Sequence, residues 1–243
     1  MKQLTVVFAL CLALAGPAWS QGLPAGQNQQ QMLDGISAML KENPDLIPDL
    51  YASLQQFLVQ EQARKEAMAT HHSWLFEEAV HPRLGPAQAD QVMVVFNDYN
   101  CPYCKKLEPV LQQLHSAYPD LAIVHVYVPL RQPGVAGLQT GSAQLALGVW
   151  REDREAFAEV HAGLMGHRSM HDRASLTAVA KASGTEALLQ QDAAANQVVE
   201  KNMAVFQTLG LGGTPAMLIG DQIVPGYVPF EQLNAIVADQ FGG

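Results

Sequence analysis

The chain has 243 residues, 49% hydrophobic and 15% charged, which suits one or two globular domains and excludes a disordered tail or a fibre. Its 14 basic and 23 acidic residues give a formal net charge of -9, which repels polyanions and argues against nucleic acid as a partner. Three cysteines are too few for a disulfide-stapled scaffold, and a chain this long buries a core without staples, so the cysteines need a chemical explanation.

Met1 and Lys2 precede an apolar run from Leu4 to Ala15, then Gly16-Pro17 and the small-residue triplet Ala18-Trp19-Ser20. This is the three-part pattern of a secretory signal, with cleavage expected after Ser20. The run is too short to span a bilayer as a mature helix, and no later stretch reaches the roughly 20 apolar residues that spanning requires. The mature protein is therefore expected to be exported and soluble. A lipoprotein signal would use Cys11, but Phe8-Ala9-Leu10 lacks the small residue such a site needs. Removing the signal leaves two cysteines, both in one motif.

After a Gln-rich start, Met32, Ile36, Met39 and Leu40 recur at helical spacing. Asn43-Pro44 reads as an N-cap followed by proline in the first turn of a second helix. There Ile47, Leu50, Tyr51, Leu54, Phe57 and Leu58 form an i, i+3, i+4, i+7 stripe, and a polar continuation runs to about Met68 or beyond. Gly85-Pro86 ends the pattern, which puts the end of a helical arm, residues 21–85, near residue 85. The arm has no core of its own. Self-association is the preferred cover for its stripe, and folding back onto the downstream domain is the alternative. His71-His72 read as surface residues of the arm.

From residue 86 the pattern is a strand (Val92 to Phe96), a helix (Pro102 to Ala117), a second strand (Leu121 to Val128) and then helical segments over about 140–209. Short strands follow at Ala216 to Ile219 and Gln222 to Val224, and a last helix at Pro229 to Phe241. This is an α/β pattern with a helical insertion.

Cys101-Pro102-Tyr103-Cys104 lies directly between the first strand and its helix, the context in which C-x-x-C spacing means redox chemistry. Unpaired amide hydrogens and the helix dipole at that end stabilise a thiolate on Cys101, the expected nucleophile. Cys104, one turn further in, is the expected resolving thiol. A structural disulfide with so small a loop would constrain the unfolded chain little. Half of a zinc site would need histidines to complete it, because no second cysteine pair remains.

With Phe96-x-Asp98-Tyr99-x-Cys101-Pro102-Tyr103-Cys104, Pro109, Gly213-Thr214-Pro215 and Gly226-Tyr227, the chain from Val92 onward resembles the thioredoxin-fold thiol-disulfide oxidoreductases of the bacterial periplasm. More narrowly it is similar to the DsbA-like branch that includes ScsC-type proteins. The resemblance implies a thioredoxin-like fold, a periplasmic location, and an arm that matches the oligomerisation segment of ScsC-type proteins. It makes Thr214-Pro215 similar to the cis-proline loop that faces the cysteines, so that Thr214 and Pro215 become substrate-contact candidates by strand addition. Pro109 should kink the active-site helix. Relatives commonly carry a buried acid six residues before the first cysteine, where this chain has Val95. That departure puts internal proton transfer from Cys104 in doubt. Asp98 is a candidate substitute, though a turn-capping role suits it better. Glutaredoxins share the Pro-Tyr pair, but export and the helical insertion argue against them.

Elsewhere His161, His167 and His171 are read as solvated, and no resident metal or cofactor is expected. Reduced Cys101 and Cys104 could hold Cu(I), whose preference is for thiolates. The expected function is that of a disulfide isomerase or reductase acting on unfolded or misdisulfide-bonded exported proteins. The alternatives are a DsbA-like dithiol oxidase, or a non-catalytic copper-binding or holdase protein. The resemblance implies a homo-oligomer, trimer or dimer, reset by a membrane thiol reductase of ScsB or DsbD type.

Overall fold

The computed structural model describes residues 25–242; the expected signal peptide with its cleavage point, and Cys11, lie outside them. The chain divides into two compact units, one ending at Leu58 and one running from Val59 to the C-terminus.

In the first unit, helix α1 (Ala25–Glu42) is followed by a 3-10 turn (Pro44–Leu46) and the start of α2 (Ile47–His72). Asn43 does not cap the turn that follows it. Its side-chain amide donates back to the Met39 carbonyl at 2.9 Å, closing the C-terminus of α1, while Pro44 opens the next turn where its missing N–H costs nothing. Within this unit Met32, Ile36, Leu50, Tyr51, Leu54 and Phe57 are all exposed.

The second unit is built on a five-stranded mixed sheet of order β1-β3-β2-β4-β5. Its strands are β1 (Arg83–Leu84), β2 (Gln91–Asn97), β3 (Leu121–Tyr127), β4 (Ala216–Ile219) and β5 (Gln222–Pro225). β2 runs parallel to β3 and antiparallel to β4. Helix α3 (Pro102–Ala117) makes the crossover between β2 and β3, and α8 (Phe230–Phe241) follows β5. Between β3 and β4 lie α4 (Ser142–Glu152), α5 (Phe157–Gly166), α6 (Arg173–Ala182) and α7 (Ala193–Thr208).

The central strands read as continuous apolar runs because both of their faces are covered. Met93 and Val95 of β2 and Ile123 of β3 pack with Leu107, Leu111 and Leu114 of α3. Val94, Phe96, Val124 and Val126 point the other way, toward Val205 and Phe206 of α7 and toward Trp74 and Leu75. A third core, centred on Leu145, Val160 and Leu164, lies within the helical insertion.

Trp74 and Leu75 place the start of the packed domain well before the Gly85-Pro86 break. They sit on a π-helical turn (Ser73–Glu77) that continues α2, and with Ala67 they are buried against the sheet. Trp74 Nε1 donates to Asn202 Oδ1 at 3.0 Å, and Asn202 Nδ2 donates to the Tyr127 carbonyl at 3.2 Å, joining this turn to α7 and β3. Gly85 is a tight turn inside the domain: its φ is +98°, and a Cβ there would lie 2.5 Å from the Leu121 carbonyl oxygen. The Gly85-Pro86 break thus interrupts helical periodicity between two segments that both pack against the sheet.

A fragment of residues 59–243 should therefore unfold cooperatively in urea. One of residues 86–243, without Trp74 and Leu75, should be less stable by about 3–6 kcal/mol at ~1.5–3 kcal/mol per buried large side chain. Equal urea midpoints would return the boundary to residue 85.

Candidate active site

β2 ends at Asn97, and the chain turns sharply before α3. Asp98 organises that turn: Oδ1 accepts the Asn100 N–H at 2.8 Å, Oδ2 accepts the Arg131 N–H at 2.9 Å, and its carbonyl accepts the Cys101 N–H at 2.9 Å. Burial pushes the Asp98 carboxyl upward, and the nearby Cys101 sulfur adds to that push. Asp98 thus caps the turn.

Cys101 is the N-cap residue of α3 in extended conformation, with Pro102 in the first turn, so the free amides at the helix start face its sulfur. Cys101 is 5% exposed and Cys104 1%, and both are free thiols. Pro102 and Tyr103 between them are exposed, Tyr103 at 61%. The hydrogen bond from Cys104, then that from Thr214, with the Cys104 and Tyr103 amides, bring the Cys101 pKa down to about 5 against the opposing effect of burial. Burial first, and the adjoining Cys101 sulfur second, push Cys104 far above the ordinary thiol range. At neutral pH the pair therefore consists of one thiolate and one thiol.

Thr214 and Pro215 complete the face. The Thr214-Pro215 peptide bond is cis. The protonated Cys101 thiol donates to the Thr214 carbonyl at 3.1 Å, although the two residues are 113 positions apart. Pro215 is buried, and its carbonyl accepts the Gly226 N–H at 2.8 Å. The Tyr227 ring lies under Lys106 Nζ of α3, 4.1 Å from the ring centroid. The structure thus brings together all six residues singled out from the sequence: Cys101, Pro102, Tyr103, Cys104, Thr214 and Pro215.

The histidines of the insertion are a correction. His161 is 6% and His171 1% exposed, so neither is solvated. The His171 N–H donates to Asn100 Oδ1 at 2.7 Å, its Nε2 pairs with the Leu164 carbonyl at 3.0 Å, and its ring stacks on His167. Lys105 Nζ donates to the carbonyls of His167 and Ser169. The loop after α5 is thereby tied to the active-site turn. His72 of the arm is exposed and His71 half-buried. Val95 is wholly buried in the sheet, with His125 as its parallel partner on β3. The polar groups on that face are instead Glu108, His125 and His161.

The family model for the DSBA-like thioredoxin domain matches residues 92–238, more than half of the chain. The chain belongs to the DsbA-like thioredoxin-domain family. A linker-deletion variant of Proteus mirabilis ScsC is 31% identical with a TM-score of 0.70, over 92% of this chain and 99% of that one. A periplasmic thioredoxin-like protein of Salmonella enterica serovar Typhimurium is 32% identical with a TM-score of 0.64, over 71% of this chain and 96% of that one. Disulfide bond formation protein D of Bacillus subtilis is 23% identical, over 67% of this chain and 78% of that protein. A match to Na(+)/H(+) antiporter NhaA 1 of Salinispora arenicola, 25% identical, spans 24% of that longer protein. The protein is a thiol-disulfide oxidoreductase of the DsbA and ScsC type.

Because the bond from Cys104 is the largest influence lowering Cys101, Cys104→Ala should raise the Cys101 midpoint above about 5, as followed by thiolate absorbance at 240 nm. A midpoint unmoved by Cys104→Ala would show that the helix amides and Thr214 suffice.

Proposed function

We propose that the protein is a periplasmic disulfide isomerase or reductase that works as a homo-oligomer on exported proteins with wrong disulfides. The observation that carries this reading is the asymmetry of the two thiols. Cys101 is an ionised nucleophile at neutral pH, whereas Cys104 is buried and protonated. The Cys101 thiolate attacks a substrate disulfide, forming a mixed disulfide and releasing one substrate thiolate. That thiolate can attack a second substrate disulfide and rearrange the pairing. Alternatively Cys104 gives up its proton and attacks the Cys101 sulfur, so that substrate leaves reduced and Cys101-Cys104 is oxidised. A Cys104 that ionises reluctantly prolongs the mixed disulfide and favours rearrangement.

Thr214 and Pro215 border the reacting sulfur and have the position to pair with an extended substrate chain. The exposed stripe of α1 and the start of α2 supports self-association, because leaving large apolar side chains wet forfeits roughly 1.5–3 kcal/mol each. Among the described residues no helix is long and apolar enough to cross a membrane. Export then rests on the Met1 to Ser20 pattern, and resetting on a membrane thiol reductase of the ScsB or DsbD type.

A second reading, a dithiol oxidase, is favoured by the stabilised Cys101 thiolate, since stabilising the reduced form makes the disulfide more oxidising. Alkylation trapping of the pair in the native compartment separates the two. A mainly reduced pair supports the isomerase or reductase, and a mainly oxidised pair the oxidase.

Refolding of a scrambled-disulfide substrate should be abolished by Cys101→Ser, while Cys104→Ser should accumulate the mixed disulfide. Full refolding activity in Cys101→Ser would remove the enzymatic reading. Deleting residues 21–58 should give monomers with weaker isomerase activity, measured by light scattering and the same assay; an unchanged oligomer mass would refute the role given to the arm.

A further inference from the structure

Glu108 of α3, His125 of β3 and His161 of α5 come from three elements and converge. One ligand atom from each lies within 4.8 Å of the other two. They line a cavity of about 660 Å³ that also touches Trp150 and Phe157 of the insertion. None of the three takes part in the thiol chemistry above.

The donor atoms are arranged as ligands rather than as a finished hydrogen-bond network. His161 Nε2 and Glu108 Oε2 are 3.2 Å apart, yet they are not aligned as a hydrogen bond and neither has another partner, although both are buried. Two atoms bound tetrahedrally to one zinc ion at ~2.0–2.2 Å stand about 3.3–3.5 Å apart, which is close to the separation here. The far side of His161 is already held. Its Nδ1 is 2.8 Å from Tyr99 Oη and 3.1 Å from Tyr127 Oη, and Tyr99 donates its own proton to Tyr127. Tyr99 Oη can therefore accept Nδ1–H, leaving a lone pair on Nε2. His125 is held in the same way by Asn97, 2.9 Å from its Nδ1, while Asn97 Oδ1 is an unpaired buried atom. Turning that amide over makes Oδ1 the acceptor of Nδ1–H and frees His125 Nε2. A ring nitrogen held from behind while the other faces a shared point is the usual second-layer arrangement of histidine metal ligands.

Imidazole nitrogens and a carboxylate oxygen are the donor types that hold a divalent ion of the zinc class.

We propose that Glu108, His125 and His161 form a binding site for a divalent transition-metal ion of the zinc class, with water from the cavity as the fourth ligand. Such an ion would fasten the active-site helix to β3 and to the helical insertion. Its donors do not include Cys101 or Cys104.

The test is calorimetric titration of the purified protein with zinc chloride, the cysteine pair being first oxidised to its disulfide so that no thiolate competes. Co(II) substitution adds a visible spectrum that reports coordination geometry. The expected result is one ion per chain, an intense tetrahedral Co(II) band, and affinity at least tenfold weaker in both Glu108→Gln and His161→Gln. His72→Gln and His167→Gln, outside the cluster, should bind as the parent does. Glu108→Gln is nearly isosteric and keeps the test decisive if His161→Gln does not fold. Absence of a stoichiometric site, or undiminished affinity in Glu108→Gln, would overturn the proposal. Loss of binding in His72→Gln or His167→Gln alone would overturn it as well, by placing the ion on histidines outside the cluster.

Discussion

The structure depends on the environment of one sulfur. Cys101 stands at the N-terminal end of α3, where helix amides are unpaired, with Cys104 as an internal hydrogen-bond donor and the Thr214 side chain as a second one from the loop before β4. Each of these favours the thiolate, and together they outweigh the burial that would otherwise protonate it. The sheet makes this possible by placing the end of β2 and the start of β4 side by side, with Phe96 opposite Ala216 in the antiparallel register. Two segments far apart in sequence thus meet at one atom.

The helical insertion contributes more to this site than a covering layer would. Asn100, next to the nucleophile, holds the His171 backbone, and Lys105 of the active-site helix holds the loop after α5 through two carbonyls. Beneath them Tyr99, Tyr127 and His161 form a buried polar chain from the active-site turn through β3 to α5. Buried polar groups are costly unless paired, so this chain fixes how the insertion sits on the thioredoxin-like core. The unsatisfied atoms within it are concentrated where Glu108 and His161 meet.

What was legible in the sequence follows the range of the interactions concerned. The strand, the Cys101 turn and α3 are local, and their signals of apolar run, C-x-x-C and proline in the first helical turn suffice to place them. Thr214-Pro215 became legible through family resemblance, since no local signal ties it to a cysteine 113 positions away. β1 escaped notice because two residues carry no periodicity. The burial of Ala67, Trp74 and Leu75 was not legible, because they continue a helical pattern while packing against a sheet formed later in the chain. His161 and His171 read as solvated because their partners come from β3 and the active-site turn. Glu108 carries a sequence signal of its own: it lies four residues after Cys104 and beside Leu107 and Leu111, on a helix whose buried residues are Cys104, Leu107, Val110, Leu111 and Leu114.

The central claim is that reduction of the pair takes up two electrons and a single proton at neutral pH, because Cys101 remains a thiolate. Its most direct test is the reduction potential of the Cys101-Cys104 couple measured from pH 4 to pH 8. The account predicts a slope near 59 mV per pH unit below about pH 5, easing to about 30 mV per unit above it, as expected for two protons and then one proton per two electrons. A slope that stays near 59 mV per unit up to pH 8 would mean that both thiols are protonated throughout and would contradict it.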